Sequence, residues 1–164
     1  MSDNKNRKLV QGALFAALCT VMTLVIQVPS PMEGYVNLGD CAVLMSAWVL
    51  GPVYGGAAAG LGSMLADVLS GYAHYAPGTL VIKGAIAAAA ALIFQALQNR
   101  IPRLPAQAVS GLAAEAIMVS GYFGYSSLLL GKGLAAAASI PGNVIQGIFG
   151  LIAAAAVYQI LDHS

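Results

Sequence analysis

Apolar residues run along this chain in blocks much longer than an amphipathic stripe. The first block, 9–28, follows a basic tail that carries Lys5, Arg7 and Lys8. It ends in the polar, proline-bearing stretch Pro29-Ser30-Pro31-Met32-Glu33-Gly34-Tyr35-Val36-Asn37. Apolar character returns at Leu38 and continues to Ser70, with Gly51-Pro52 inside it and Asp40 and Asp67 near its two ends. Further blocks cover 79–97, 106–130 and 139–161, and the basic turn Gln98-Asn99-Arg100-Ile101-Pro102-Arg103 separates the first two of these. A membrane helix needs about 20 apolar residues. The pattern therefore predicts an all-α integral membrane protein forming one membrane domain over residues 1–164.

The block 38–70 reads either as one long tilted helix or as a hairpin of two short ones. Pro52 lacks a backbone donor and Gly51 weakens the helix before it, so a break is expected there. Charge settles the choice. With two helices, the N-terminal tail and the Arg100/Arg103 turn fall on one face, which gathers five of the seven basic residues as the positive-inside rule requires. Six spans are expected, 9–28, 38–50, 53–71, 79–97, 106–130 and 139–161, with both termini in the cytoplasm. The span 38–50 would cover only about 20 Å of a hydrocarbon core about 30 Å thick. Asp40 is then expected at or below the outer interface, facing protein or a water pocket.

Composition agrees and excludes the alternatives. The 164 residues are 59% hydrophobic and 8% charged, with a mean hydropathy of +0.81. A soluble domain carries about 25% charged residues, so a soluble fold, a disordered chain and a nucleic-acid binder are excluded. Six spans leave about 44 residues for loops and ends, too few for a nucleotide-binding domain. Uphill transport would draw on an ion gradient or on another chain. A net charge of +1 names no partner. Cys19 and Cys41 lie in apolar runs without metal-ligand spacing and read as small core residues. A cleaved signal peptide is a poor reading of the N-terminus, since the block is long and lacks an A-x-A site. No Ser-His-Asp set, HExxH or phosphate loop is present, so neither an enzyme, a metal site nor a cofactor is expected.

Small and polar residues carry the candidate chemistry. Ala13xxxAla17 and Gly12xxxAla16 lie on the first span, and Gly51xxxGly55 and Gly56xxxGly60 on the third. Such stripes let membrane helices approach closely, for packing within the chain or for docking another membrane protein. Three outward loops, 29–38, 71–78 and 131–138, hold most of the polar and aromatic groups: Glu33, Tyr35, Asn37, Tyr72, His74, Tyr75 and Lys132, with Asn143 and Gln146 just beyond. Intramembrane ionisable groups are costly and usually functional; here they are Asp40, Asp67, Lys83 and Glu115. Lys83 and Asp67 are suited to an interhelical salt bridge. Glu115 suits a ligand contact, a proton-carrying role or a helix–helix hydrogen bond. Tyr72, Tyr75, Tyr122 and Tyr125 suit either a stacking wall or an interfacial belt, His74 a ligand donor or a solvated loop, and His163 a solvated tail.

Gly34-Tyr35-Val36-Asn37-Leu38-Gly39-Asp40, Gly51-Pro52, Leu65-Ala66-Asp67, Gly71-Tyr72-Ala73-His74-Tyr75-Ala76-Pro77 and Lys83-Gly84 resemble the substrate-binding S components of energy-coupling factor (ECF) vitamin transporters. Gly121-Tyr122-Phe123 and Ile140-Pro141-Gly142-Asn143-Val144-Ile145-Gln146-Gly147 are similar to the same branch, which groups riboflavin-, hydroxymethylpyrimidine- and pyridoxine-type members. The resemblance implies six membrane helices and a vitamin site at the outer face, lidded by the loop after the first helix. It also implies a prokaryotic plasma membrane and docking to a membrane T component energised by two cytoplasmic ATPases. Ala13 and Ala17 match the family's AxxxA docking pattern, and Ala16 lies beside them. Location and chemistry nominate Tyr35, Asn37, Asp40, Asp67, Tyr72, His74, Tyr75, Lys83, Glu115, Tyr122, Asn143 and Gln146 for the site. A vitamin B6 form or hydroxymethylpyrimidine is the expected cargo, with riboflavin as the alternative. A stand-alone proton-coupled carrier using Glu115 or Asp67 is the competing class, and a purely structural membrane subunit is a third.

Overall fold

The computed structural model describes residues 2–30 and 34–162. Helix α1 (Ser2–Val25) leads into two short strands, β1 (Gln27–Ser30) and β2 (Gly34–Asn37). Four helices follow: α2 (Gly39–Leu69), α3 (Ala76–Leu97), α4 (Arg103–Gly124) and α5 (Ile140–Asp162). Between α4 and α5 the chain makes a π-helical turn, Tyr125–Leu129, and a 3₁₀ helix, Gly133–Ser139. Among the described residues, four helices are long and apolar enough to cross a membrane: Asn4–Val25, Gly39–Leu69, Ala76–Leu97 and Gly133–Leu161. Helix α4, whose apolar run is interrupted by Gln107, Ser110, Glu115 and Ser120, is not among them.

Helix α2 is broken at Gly51, whose φ of 79° and ψ of −175° are not helical. Its first half turns back there against its second. A straight helix would hold residues 46 and 55 about 13.5 Å apart. Instead the Ser46 hydroxyl donates to the carbonyl of Gly55 at 3.2 Å, and a Cβ on Gly55 would stand 2.5 Å from the Ser46 carbonyl oxygen. The positive φ favours glycine at 51, and Pro52 supplies a residue that needs no donor partner.

The first half of α2 is the central element. Its residues from Gly39 to Trp48 are all buried, and Leu44, Ile86 and Met118 pack without exposure in the same core as Cys19 and Cys41. The outer surface is apolar: Leu14, Val53, Val81, Leu112, Phe149 and Ile152 are exposed. Water would make such a surface unfavourable, whereas lipid solvates it, and the helices satisfy their own backbone groups.

The small-residue stripes divide between two uses. On α2, Gly56 and Gly60 lie against α3, where added Cβ atoms would stand 3.2 Å from the Gly84 carbonyl oxygen and 2.6 Å from that of Leu80. The Ala16 carbonyl accepts from Thr20, whose hydroxyl also reaches Gly62 of α2 at 2.8 Å. These positions serve packing within the chain. Ala13 and Ala17 are exposed, and nothing lies within 4 Å of a Cβ at Gly12.

Three local expectations change. The first helix ends at Val25, and residues read as the end of that span and a loop form an antiparallel pair, with Gln27 opposite Asn37 and Val28 opposite Val36. Strands of four residues are too short for alternation to announce them. The stretch 106–130 is α4 plus the π turn, and the outward loop 131–138 is mostly 3₁₀ helix. Glu33 and His163 lie outside the described residues.

Candidate ligand-binding site

Most of the nominated polar residues gather at one end of the bundle, where the β1–β2 hairpin, the turn after α2, the π turn and the 3₁₀ helix meet. A cavity opens there, enclosing about 520 Å³ not filled by protein atoms, its mouth included. Tyr35 and Asn37 come to it from β2, Asp67 from the end of α2, and Tyr75 and Thr79 from the start of α3. Tyr122 of α4 and Ser126 of the π turn form another wall, and Ser139, Asn143 and Gln146 close it from the 3₁₀ helix and α5. π turns are frequent at functional sites because they re-aim side chains within a helix; this one turns Ser126 inward, where it shares a 3.1 Å hydrogen bond with the Tyr75 hydroxyl.

The hairpin is fastened over this cavity by polar contacts. The Tyr35 hydroxyl donates to Asp67 Oδ1 at 2.6 Å, and Gln27 Nε2 donates to the Ser70 hydroxyl at 2.7 Å. Burial, and then the Asp67 carboxylate it bonds, hold the Tyr35 hydroxyl above its usual range, so it remains a donor. The backbone N–H of Asn37 donates to Gln146 Oε1 at 2.8 Å. Asn37 Oδ1 accepts from the Gly39 N–H at 2.7 Å, satisfying one of the free amides at the start of α2.

Behind the Gln146 wall lies a buried charge pair. Lys83 donates to Asp40 Oδ1, and Gln146 Nε2 donates to Asp40 Oδ2. Both nitrogens also touch the Met118 sulfur, at 3.4 and 3.5 Å, and Lys83 lies 5.6 Å from the centre of the Tyr122 ring. Asp40 is in the first turn of α2, where the helix dipole favours a negative charge. Gln146 thus joins three things: the charge pair, the hairpin and the cavity.

Aromatic rings form the rim. Centroid separations of 4.9, 6.2, 4.8 and 6.1 Å connect Tyr35, Tyr72, His74, Tyr75 and Tyr125 in that order. The Tyr125 hydroxyl donates to the His74 carbonyl at 2.8 Å, and Lys132 donates to the Tyr75 hydroxyl at 3.0 Å.

Seven sequence-nominated residues therefore line the cavity: Tyr35, Asn37, Asp67, Tyr75, Tyr122, Asn143 and Gln146. Tyr72 and His74 belong to the rim, and Asp40 and Lys83 to the network behind the wall. The expected Lys83–Asp67 salt bridge is not made: Lys83 pairs with Asp40, because the first half of α2 carries Asp40 against α3. Glu115 stands elsewhere, in a groove between α4 and α5 walled by Leu112, Val119, Phe123, Val144, Ile148 and Leu151. Both its carboxylate oxygens are buried without hydrogen-bond partners. Trp48 lies away from the cavity, its ring nitrogen donating to Ser110 at 3.1 Å. Thr79, Ser126 and Ser139 are the lining residues that sequence reasoning missed. Small hydroxyls within apolar runs give no signal of their own.

Comparison with known proteins is consistent with this architecture. The family profile of the ECF-type riboflavin transporter S component matches residues 3–163. An uncharacterised protein from the gap 3′ region of Pyrococcus woesei is 35% identical over 134 residues, spanning 81% of this chain and 86% of its own length. The structure of the S component of a bacterial ECF transporter superposes with a TM-score of 0.69, covering 97% of each chain at 20% identity.

Proposed function

The chain belongs to the family of ECF-type riboflavin transporter S components, and from that premise we propose that it captures a small vitamin or vitamin precursor in the cavity under the β1–β2 hairpin and hands it inward. The observation that carries this reading is the cavity itself: polar groups from four helices and a fastened hairpin converge on one space. Ligand sites commonly combine a concave, mostly apolar wall with a few placed polar groups. In this reading the two halves of α2 each cross the membrane, giving six spans with both termini inside. The basic tail and the Arg100/Arg103 turn then face the cytoplasm of a prokaryotic cell. The β1–β2 hairpin is the outer lid. The exposed Ala13 and Ala17 of α1 meet a T component, and two ATPases supply the energy; the chain itself performs no catalysis.

The cargo we favour is a single-ring heterocycle bearing hydroxyl groups, a vitamin B6 form or hydroxymethylpyrimidine. The lining offers a carboxyl group and three amides, Asp67, Asn37, Asn143 and Gln146, whose donors and acceptors suit the edges of such a ring. Riboflavin is the second reading, because the family is described by it.

Mass spectrometry of small molecules released on denaturing the detergent-purified protein tests both. A stoichiometric pyridine or pyrimidine supports the favoured cargo, and a flavin replaces it with the second. An empty protein that binds none of these compounds refutes the receptor reading. In a reconstituted system, Ala13→Leu with Ala17→Leu should abolish transport and leave binding intact. Uptake by the chain alone, driven by a proton gradient, would instead identify a carrier.

A further inference from the structure

Glu115 makes no hydrogen bond in the cavity or in the network behind it. The residue is 7% exposed, and both its carboxyl oxygens are buried without a partner. It lies in the wall of the groove that runs along α4 from Leu112 to Phe123 and along α5 from Ile140 to Leu151. At the helical rise that groove is about 16 Å long. Along α4, Glu115 is about 13.5 Å from the end at Gly124, a depth that belongs to the hydrocarbon of a bilayer.

The wall thins beside the carboxyl. A Cβ on Gly147 of α5 would stand 2.8 Å from Glu115 Oε2, and Ala116, the next residue on α4, is small and exposed. Glycine at 147 puts no side chain over the carboxyl, so a turn of the Glu115 side chain presents it to the groove.

The surroundings decide what fits. Lipid chains fill a groove on an outer surface but bring no donor, and a buried polar group left unsatisfied in hydrocarbon is costly. A transmembrane helix comes close only over small residues. The rims here are bulky: Leu112, Val144 and Ile148 stand out at the surface, with Phe123 and Leu151 at the two ends. A single flexible chain passes between such rims. A hydroxyl on that chain both donates and accepts, so it satisfies a carboxyl group whether or not that group holds its proton.

We propose that this groove is a second ligand site, separate from the cavity under the hairpin, and that it takes an apolar alcohol from the bilayer. The hydroxyl meets Glu115, and the hydrocarbon chain lies along α4 and α5. Glu115 is the residue that selects the alcohol over bulk lipid chains. A hydrogen bond to a carboxyl group in a dry site should favour the alcohol over a molecule of similar length without a hydroxyl by about ten-fold.

The test is native mass spectrometry of the purified full-length chain, released from neutral detergent micelles that hold equal mole fractions of dodecan-1-ol and 1-chlorododecane. The wild-type chain should carry one molecule of the alcohol at least about five-fold more often than the chloride. In Glu115→Met, which keeps an apolar side chain in place, the two probes should bind alike. Equal occupancy in the wild type would mean that any lipid chain fills the groove, and binding of neither would reserve it for a partner helix; each result overturns the proposal. A preference that survives in Glu115→Met would put the hydroxyl on another group and overturns it too. The wild-type ratio is a test on its own, whatever the stability of the variant.

Discussion

Replacing Lys83 by methionine probes the structure most directly, because Lys83 holds a salt bridge to Asp40 and that bridge is buried. Lys83 is 3% exposed and Asp40 is not exposed at all. Removing one partner of a buried pair typically costs about 3–5 kcal/mol, because the other charge is left without compensation. In Lys83→Met the Asp40 carboxylate keeps the Gln146 donor, which places the loss at the lower end, about 3 kcal/mol. In Asp40→Asn the ammonium loses its counter-charge and competes with Gln146 for a single amide oxygen, beside the Met118 sulfur and the Tyr122 ring, and the loss should approach about 5 kcal/mol. The double variant buries no charge. The amide introduced at position 40 can still bond Gln146, and a methionine stem replaces a lysine stem of similar length, so its loss should be about 1–2 kcal/mol. The coupling between the two sites is then several kcal/mol. The single tryptophan, Trp48, is buried in the same core and reports unfolding by fluorescence as SDS is titrated into mixed micelles. If the double variant loses the sum of the two single losses to within about 0.5 kcal/mol, the residues are independent, and the network described here is wrong.

Three other perturbations separate the parts of the molecule. Gly55→Leu places a Cβ against the Ser46 carbonyl and the Ala47 Cα, both backbone, so no rotamer relieves it; the cost should be about 3 kcal/mol, seen as lost thermal stability in detergent. Tyr35→Phe removes the hydroxyl that fastens the hairpin to Asp67, a charge-assisted bond worth about 1.5–3 kcal/mol. Stopped-flow dissociation of bound vitamin should quicken at least ten-fold, and an unchanged rate would mean the hairpin is not the lid. Glu115→Met replaces two unpartnered buried oxygens and should raise stability by about 1 kcal/mol or more with vitamin affinity unchanged; lost affinity would move Glu115 into the binding machinery.

The sequence made some of this legible for identifiable reasons. Apolar blocks report membrane helices because lipid selects composition directly. Gly51-Pro52 reports the reversal in α2 because both residues act on their own backbone. Tyr35, Asn37, Asp67 and Tyr75 are legible because each sits in or about a turn from an outward loop, and Tyr122, Asn143 and Gln146 because they are polar groups within apolar helices that lead to the same end of the bundle. The partner of Lys83 was not legible. Asp67 is nearer in the chain, but the turn at Gly51 carries the first half of α2, and Asp40 with it, into the centre. Glu115 carries the same costly carboxylate as Asp40, and nothing local says that one is paired and the other faces an apolar groove. The hydroxyls of Thr79, Ser126 and Ser139 acquire meaning only from the neighbours that tertiary structure supplies.

Helix α2 links the two surfaces on which the proposed function depends. Its second half ends at Asp67 in the cavity wall, and on the way it packs against α1 through Gly62 and the Thr20 hydroxyl. Ala13 and Ala17, which flank that contact on α1, are exposed. The residues proposed for binding and for docking therefore lie on different surfaces of two helices in direct contact. This separation is what allows a docking variant to fail in transport while retaining its ligand. The buried Asp40–Lys83 pair fits the same scheme, since its charges neutralise one another inside the bundle rather than at the lipid. If the bundle reorients in the membrane to deliver its cargo, that pair travels with the core and adds no exposed charge to the surface that must move through hydrocarbon.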